Sequence, residues 1–287
     1  MKQTWKKGVV VFLAAVLLAM CAGLSAAAIP GSTPVVLTCT NIPLNIDNEY
    51  IGSGIIVNSV IYVPLLSFAE LMLGKTCEVV WNQDTGTASI NTQDFDLTLT
   101  MGQDYMTVNG RYIYFEDGVY NINGTILVPI RELSRVFALK LALDREEWIL
   151  HIDASDSRIF EHGGDFYDQD ELYWLSHVIH AEAGNQPLKG KIGVGNVIMN
   201  RIADSSGLFA DSIRDVIFQT GQFNVVNNGT IYMTPSEESV VAAKLCMEGY
   251  NTVGESRWFV NPSYGTAGWF DRNATYVTRI ADHVFYS

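Results

Sequence analysis

The sequence predicts an α+β chain: a β-rich domain built on a duplicated strand–helix–strand unit, followed by a mainly α domain. Three observations predict it. Runs rich in β-branched and aromatic residues, separated by Asn-Gly and Asp-Gly turns, fill residues 40–153. A strand–Pro–helix motif occurs twice within that stretch. Beyond Phe166 the apolar residues recur at helical spacing instead. The length of 287 residues fits two domains, since one domain typically takes ~150. With 48% hydrophobic and 17% charged residues, disorder and fibrous repeats are excluded.

The chain opens with Lys2, Lys6 and Lys7, an apolar run from Gly8 to Leu24, and the small residues Ser25-Ala26-Ala27-Ala28. This is the pattern of a signal peptide over 1–28. The run also has the length of a membrane anchor, for which ~17–25 apolar residues suffice, so contact with a membrane is expected only if the segment stays uncleaved. Cys21 follows Met20 rather than a small residue, which disfavours a lipoprotein. Cleavage takes the formal charge from −13 to −16. Such an acidic chain repels phosphate backbones, and no nucleic-acid partner is expected. Of the four cysteines, Cys39 and Cys77 are a candidate bridge, while the odd count left after cleavage points to tolerated free thiols.

Within 40–153, strands are expected over Gly54–Tyr62, Thr87–Ile90, Phe95–Thr100 and Ile149–Ile152, with hairpins at Asn109-Gly110, Asp117-Gly118 and Asn123-Gly124. Asn58-Ser-Val-Ile-Tyr-Val-Pro64-Leu65 recurs as Asn123-Gly-Thr-Ile-Leu-Val-Pro129-Ile130, each copy leading into a short helix, Leu66–Leu73 and Arg131–Leu139. Proline fits such a junction because its missing N–H has no partner at a helix start. This stretch, with Trp81 and Val108-Asn109-Gly110, resembles the copper amine oxidase N-terminal-like domain over about 44–153. Copper itself is not implied, because His151 is the one histidine in the stretch. A wall-binding or spacing role is expected for it, with a purely structural role as the alternative. Residues 154–167 read as a linker.

The region 168–287 starts with Asp168 and Glu171 in capping-box relation. Leu172, Leu175, Val178 and Ile179 share one helical face, and Gly184-Asn185 should end the helix. A second helix is expected over Leu188–Ile202, with Gly193 and Gly195 permitting close packing, and a third around Ser212–Gln219. Thr234-Pro235-Ser236-Glu237 predicts a capped fourth helix ending near Gly249. From Trp258 onward, aromatic loops and a short closing strand are expected.

The chemistry concentrates in His177-Val-Ile-His180-Ala181-Glu182-Ala183-Gly184. Glu182 ends an apolar helix, between alanines, with no Lys or Arg until Lys189. The helix dipole and apolar neighbours both raise a carboxyl pKa there. A carboxylic acid still protonated near neutrality is what protonating a glycosidic oxygen requires. The same block, followed by Gly190–Arg201, Ile213–Phe223, Phe259–Pro262 and Arg279–Phe285 in that order, resembles the spore-cortex-lytic and cell-wall hydrolase family of the SleB and CwlJ type. The resemblance implies a lysozyme-like catalytic domain acting on peptidoglycan, with Glu182 as catalytic acid and no metal or other cofactor. It also implies a bacterial protein working in the wall, the spore or the medium. Gln219-Thr220-Gly221 and Asn224 depart from the family pattern and bear on substrate preference.

One protonated carboxyl can donate to the oxygen between N-acetylmuramic acid and N-acetylglucosamine, then deprotonate the C6 hydroxyl to close a 1,6-anhydro ring. That lytic transglycosylation needs one acid, whereas hydrolysis calls for a second carboxylate, for which Asp211, Asp271 and Asp282 are candidates. Gln222 and Phe223 are expected to line the sugar groove, or else to form a turn that packs the ring inward. Tyr264 and Trp269, with Trp258, have carbohydrate-stacking chemistry. Arg201 reads as a carbonyl cap and His283 as a satisfied core histidine. Two rival readings stay open: a zinc-dependent wall amidase or peptidase using His177 and His180 with Glu182 or His283, and a wall-binding protein without activity.

Overall fold

The computed structural model describes residues 24–25, 36–37, 40–164, 166–265 and 267–287. It forms two compact units, Met1–His162 and Gly163–Ser287. The expected signal segment lies outside the described residues except for Leu24–Ser25, which pair antiparallel with Val36–Leu37. Among the described residues no helix is long and apolar enough to cross a membrane.

The first unit holds β1 (Thr40–Ile46), β2 (Glu49–Val57), β3 (Val60–Pro64), α1 (Leu65–Leu73), β4 (Val80–Asn82), β5 (Thr87–Asn91), β6 (Asp96–Thr100) and β7 (Tyr105–Val108). It continues with β8 (Arg111–Tyr114), β9 (Tyr120–Ile122), β10 (Thr125–Pro129), α2 (Ile130–Val136), β11 (Lys140–Asp144) and β12 (Ile149–Asp153). A seven-stranded sheet runs β9-β10-β3-β2-β1-β12-β11, and a five-stranded one β8-β7-β6-β5-β4. All neighbours are antiparallel except β12 and β1, where Leu150 faces Leu44 and Ile152 faces Ile46.

Tight turns with two left-handed residues close four of these hairpins. Asp47-Asn48, Asn58-Ser59, Asn109-Gly110 and Asn123-Gly124 all have positive φ at both positions, as a two-residue hairpin with strand-matched twist requires. Asn58-Ser59 therefore breaks the single strand expected over Gly54–Tyr62 into β2 and β3. Asp117-Gly118 is a turn, with Gly118 at φ 68, but it joins β8 to β9 in different sheets rather than forming a hairpin.

The two Val-Pro strands lie side by side, Val63 opposite Val128, Tyr62 opposite Pro129 and Pro64 opposite Leu127. Pro64 and Pro129 are the N-cap residues of α1 and α2. Helix α2 ends earlier than the expected Leu139. Ala138 adopts φ 51 and the Leu139 N–H bonds back to Ser134 O at 2.8 Å, a helix-terminating motif that usually employs glycine. The segment after β12 is tied to the same unit, since Phe160 N donates to Val136 O at 3.0 Å and Asn109 Nδ2 donates to Phe160 O at 2.7 Å. Cys77 is a buried free thiol, and Cys39, its expected partner, lies outside the described residues.

The second unit is helical with a terminal sheet: α3 (Gln169–Ala183), α4 (Leu188–Ile202), α5 (Ile213–Phe218), α6 (Asn224–Asn227), α7 (Glu237–Met247), β13 (Trp258–Val260), α8 (Ala267–Asn273), β14 (Tyr276–Ile280) and β15 (His283–Tyr286). Asp168 caps α3 by accepting from the Asp170 and Glu171 N–H groups. The cap of α7 is Ser236, not Thr234, because the Ser236 side chain is the one that accepts from Ser239 N. The tail is more ordered than expected, forming a three-stranded antiparallel sheet β13-β15-β14. Helix α4 is buried along nearly its whole length. A Cβ on Gly193 would stand 2.9 Å from both Phe285 Cζ and Val253 Cγ1, and one on Gly195 2.5 Å from Cys246 Sγ. These two glycines let β15 and α7 approach α4 closely, and α3 packs on the same helix.

Candidate active site

Glu182 sits in the last turn of α3. Burial pushes its carboxyl up to about 7 from an ordinary 4.5, and the Arg201 guanidinium opposes that rise. Among the described residues, burial and Arg201 are the influences on Glu182. The carboxyl therefore keeps a substantial protonated fraction near neutral pH, and the Arg201 cation favours its ionised form.

Arg201 is the residue that sequence reasoning missed. It lies at the C-terminal end of α4 and is only 4% exposed. Its guanidinium carbon stands 5.1 Å from the ring centroids of Phe209 and Phe223 alike. Nε donates to the backbone oxygen of Arg257 at 2.8 Å, while Nη1 is buried without a partner. Burial lowers its own pKa to about 10, with Glu182 acting in the opposite sense, so it stays charged throughout the physiological range. The expected cap of helix carbonyls is not its role: the bond it makes goes to the strand-entry segment at Arg257. That segment is held in turn by an ion pair between Arg257 and Asp204. Phe209 lies 6.1 Å from Trp258, which extends the aromatic wall. The one sequence signal for Arg201 is a cation ending an otherwise apolar, glycine-bearing helix.

The other expected site residues divide. Phe223 is 5% exposed with its ring against Arg201, so it packs inward and does not stand free as a sugar platform. Gln222 is half-buried beside it, its N–H donating to Gln219 O at 3.1 Å. Tyr264 and Trp269 are 82% and 58% exposed and leave open ring faces; no contact joins them to Glu182 among the described residues. Trp258 belongs to β13 and packs on Phe209. Asp271 accepts from Tyr286 Oη at 2.7 Å and Asp282 from Gln186 Nε2 at 3.1 Å, while Asp211 is exposed.

The histidines serve the scaffold. His177 Nδ1 bonds to Tyr173 O at 2.7 Å and its ring stacks on Tyr173. His180 Nδ1 accepts from Ser236 N at 3.3 Å and lies 3.3 Å from the Ser239 hydroxyl, linking α3 to the cap of α7. Among the described residues no three His, Cys, Asp or Glu side chains are grouped as a metal ion requires. His283 is buried as expected, but its Nδ1 has no partner, and burial lowers its pKa.

The helical unit carrying this acid–cation pair resembles a recognised class. Residues 185–286 match the cell wall hydrolase family, and residues 45–152 match the copper amine oxidase N-terminal domain. The chain thus joins a cell wall hydrolase domain to a copper amine oxidase N-terminal-like domain. The hydrolase match begins just after Glu182, so that residue's assignment rests on its surroundings.

Relatives include spore cortex-lytic enzymes from Oceanobacillus iheyensis, 29% identical over 42% of each chain, and from Halalkalibacterium halodurans, 31% identical over 42% of this chain and 35% of the relative. The cell wall hydrolase CwlJ of Bacillus subtilis is 29% identical over 39% of this chain and 81% of that one. The matched region spans less than half the length of the spore cortex-lytic relatives. Among solved structures, the catalytic domain of the germination-specific lytic transglycosylase SleB from Bacillus anthracis covers 43% of this chain and 98% of its own, at 27% identity and a TM-score of 0.39.

Proposed function

We propose that residues 168–287 form an enzyme that cleaves the glycan strands of peptidoglycan between N-acetylmuramic acid and N-acetylglucosamine by lytic transglycosylation. The observation that carries it is Glu182, a carboxyl held protonated to about 7 with a buried guanidinium as its counter-charge. Protonated Glu182 donates to the bridging oxygen. The carboxylate that results is stabilised by Arg201, then takes the proton of the C6 hydroxyl as the 1,6-anhydro ring closes. One acid suffices, in keeping with a field at Glu182 in which Arg201 is the one charged influence among the described residues. Phe209 and Phe223 hold Arg201 in place, and Gln222, Tyr264 and Trp269 offer an amide and two open rings to the sugars. Relatives named for spore cortex lysis and cell wall hydrolysis support the substrate class.

In this reading residues 1–28 direct export, 40–153 bind the wall or space the enzyme from it, and 154–167 connect the two. The test is mass spectrometry of muropeptides released from purified peptidoglycan by residues 29–287. Products ending in 1,6-anhydromuramic acid, lost in Glu182→Gln and unaffected by EDTA, are expected. Reducing ends would indicate hydrolysis, and peptides freed from intact glycan an amidase.

A further inference from the structure

The interaction of two charges depends on their separation. How strongly Arg201 favours ionised Glu182 therefore depends on where its guanidinium is held. The rings of Phe209 and Phe223 lie against it, but a ring face is a broad target for a cation. Direction comes from the bond that Nε donates to Arg257 O at 2.8 Å. The position of that backbone oxygen is thus part of the electrostatics of the site.

A closed circuit of bonds holds Arg257 O. The Arg257 side chain pairs with Asp204, whose carboxylate also accepts from Ser206 N at 2.7 Å. Asp204 follows closely on Arg201, and its N–H returns to Arg201 O at 3.2 Å. The circuit leaves the end of α4 through the Arg201 side chain and comes back to it through Arg257 and Asp204. Neighbouring bonds brace it: Asn200 Nδ2 donates to Gly254 O at 2.7 Å and Ser256 O at 2.8 Å, and Arg257 N to Tyr286 O at 2.9 Å. The Asp204 side chain is only 6% exposed, so the pair is screened less than pairs at the surface. Burial and Arg201 are the influences on Glu182 among the described residues, so Asp204 and Arg257 reach the acid through Arg201 or not at all.

We propose that Asp204 and Arg257 are positioning residues for the Arg201 charge, an inference that rests on the cleavage reading above. The ion pair fixes Arg257 O, that oxygen fixes Nε, and the guanidinium is kept where it favours the Glu182 carboxylate. Without the pair the segment before β13 relaxes and Arg201 leaves its place. Glu182, left to its dry surroundings, then holds its proton to higher pH. Titration of Asp204 does not enter there, because the Ser206 hydroxyl and N–H, with Arg257, hold its carboxyl below the usual carboxylate range.

The test is the pH dependence of kcat and KM for glycan cleavage by the full chain and its variants. In Asp204→Ala and in Arg257→Gln the alkaline limb is expected to move upward by roughly half or more of the shift in Arg201→Gln. The fall is expected in kcat, with KM unchanged, and Arg257→Lys, which keeps the charge, should recover part of it. Once Arg201 is replaced by Gln, adding Asp204→Ala should move the limb no further. Circular dichroism checks the fold, and if Asp204→Ala does not fold, Arg257→Gln, at a side chain 33% exposed, carries the same measurement. A limb that stays in place in both variants while Arg201→Gln moves it would overturn the inference and leave the cleavage mechanism standing. A full shift from Asp204→Ala in the Arg201→Gln background would overturn it too, by revealing a route that bypasses Arg201. A limb unmoved in Arg201→Gln would overturn it together with the role of the guanidinium. Cleavage that survives in Glu182→Gln would overturn the mechanism beneath both.

Discussion

At the scale of single residues, the environment of Glu182 is both dry and charged. Burial raises Glu182 to about 7 while Arg201 pulls in the other direction. The acid must be protonated to donate, so kcat/KM should fall as pH rises through about 7. Removing the cation raises the carboxyl further. Arg201→Gln should therefore move the alkaline limb upward by ~1 pH unit and lower the rate, since the product carboxylate loses its counter-charge. Arg201→Lys, which keeps the charge, should leave the limb in place. A pH–rate profile of the three proteins checks this, and a limb unmoved in Arg201→Gln would remove the guanidinium from the reaction. The raised pKa of Glu182 was legible from its neighbours along one helix, whereas the opposing charge of Arg201 comes from the next helix, where the guanidinium lies against Phe209 and Phe223.

At the scale of elements, the site depends on how tightly α3, α4 and α7 pack. Ser236 caps α7 and its N–H also meets His180 on α3. Ser236→Ala should lower the stability of the helical unit by ~1 kcal/mol, whereas Thr234→Ala should change it by less than ~0.5 kcal/mol. Thermal unfolding of the two variants distinguishes the caps directly. Gly195→Ala would bring a Cβ to 2.5 Å from Cys246 Sγ and 2.9 Å from Ile179 Cδ1. The expected cost is ~1–3 kcal/mol, and adding Cys246→Ala should recover part of it. A double-mutant cycle measures that coupling, and strict additivity would mean the helices adjust in another way. The sequence reads well at this level where rules are local. Asp168 capping α3, the Leu188–Ile202 helix and the close-packing glycines were all legible. Asn58-Ser59 was not, because a left-handed turn without glycine has little signature, and the choice between Thr234 and Ser236 depends on where the chain turns to meet α3.

At the scale of the whole molecule, two compact units with separate cores share one acidic chain of formal charge −13. Such a chain is repelled by an anionic wall over distances comparable with the Debye length, ~10 Å at 0.1 M salt. Activity on intact sacculi should therefore rise as salt increases from ~10 to ~150 mM, while cleavage of short soluble glycan, which carries few charges, should respond much less. A salt titration on both substrates is the check, and parallel responses would mean that charge governs the catalytic step instead of the approach to the wall.

The sequence by itself determined the division into a β-rich and a helical half, the two Val-Pro junctions, the main helices and the acid at the end of α3. Those follow from capping, turn chemistry and periodicity, which act over a few residues. Only the tertiary structure decided that Val63 faces Val128, that the tail folds into a sheet, that Arg201 shares the field of Glu182, and that Asp204 pairs with Arg257. Each of these joins residues distant along the chain. Burial, the strength of a charge and the partner of a carboxylate are set by what packs around a group, and residue order does not record that.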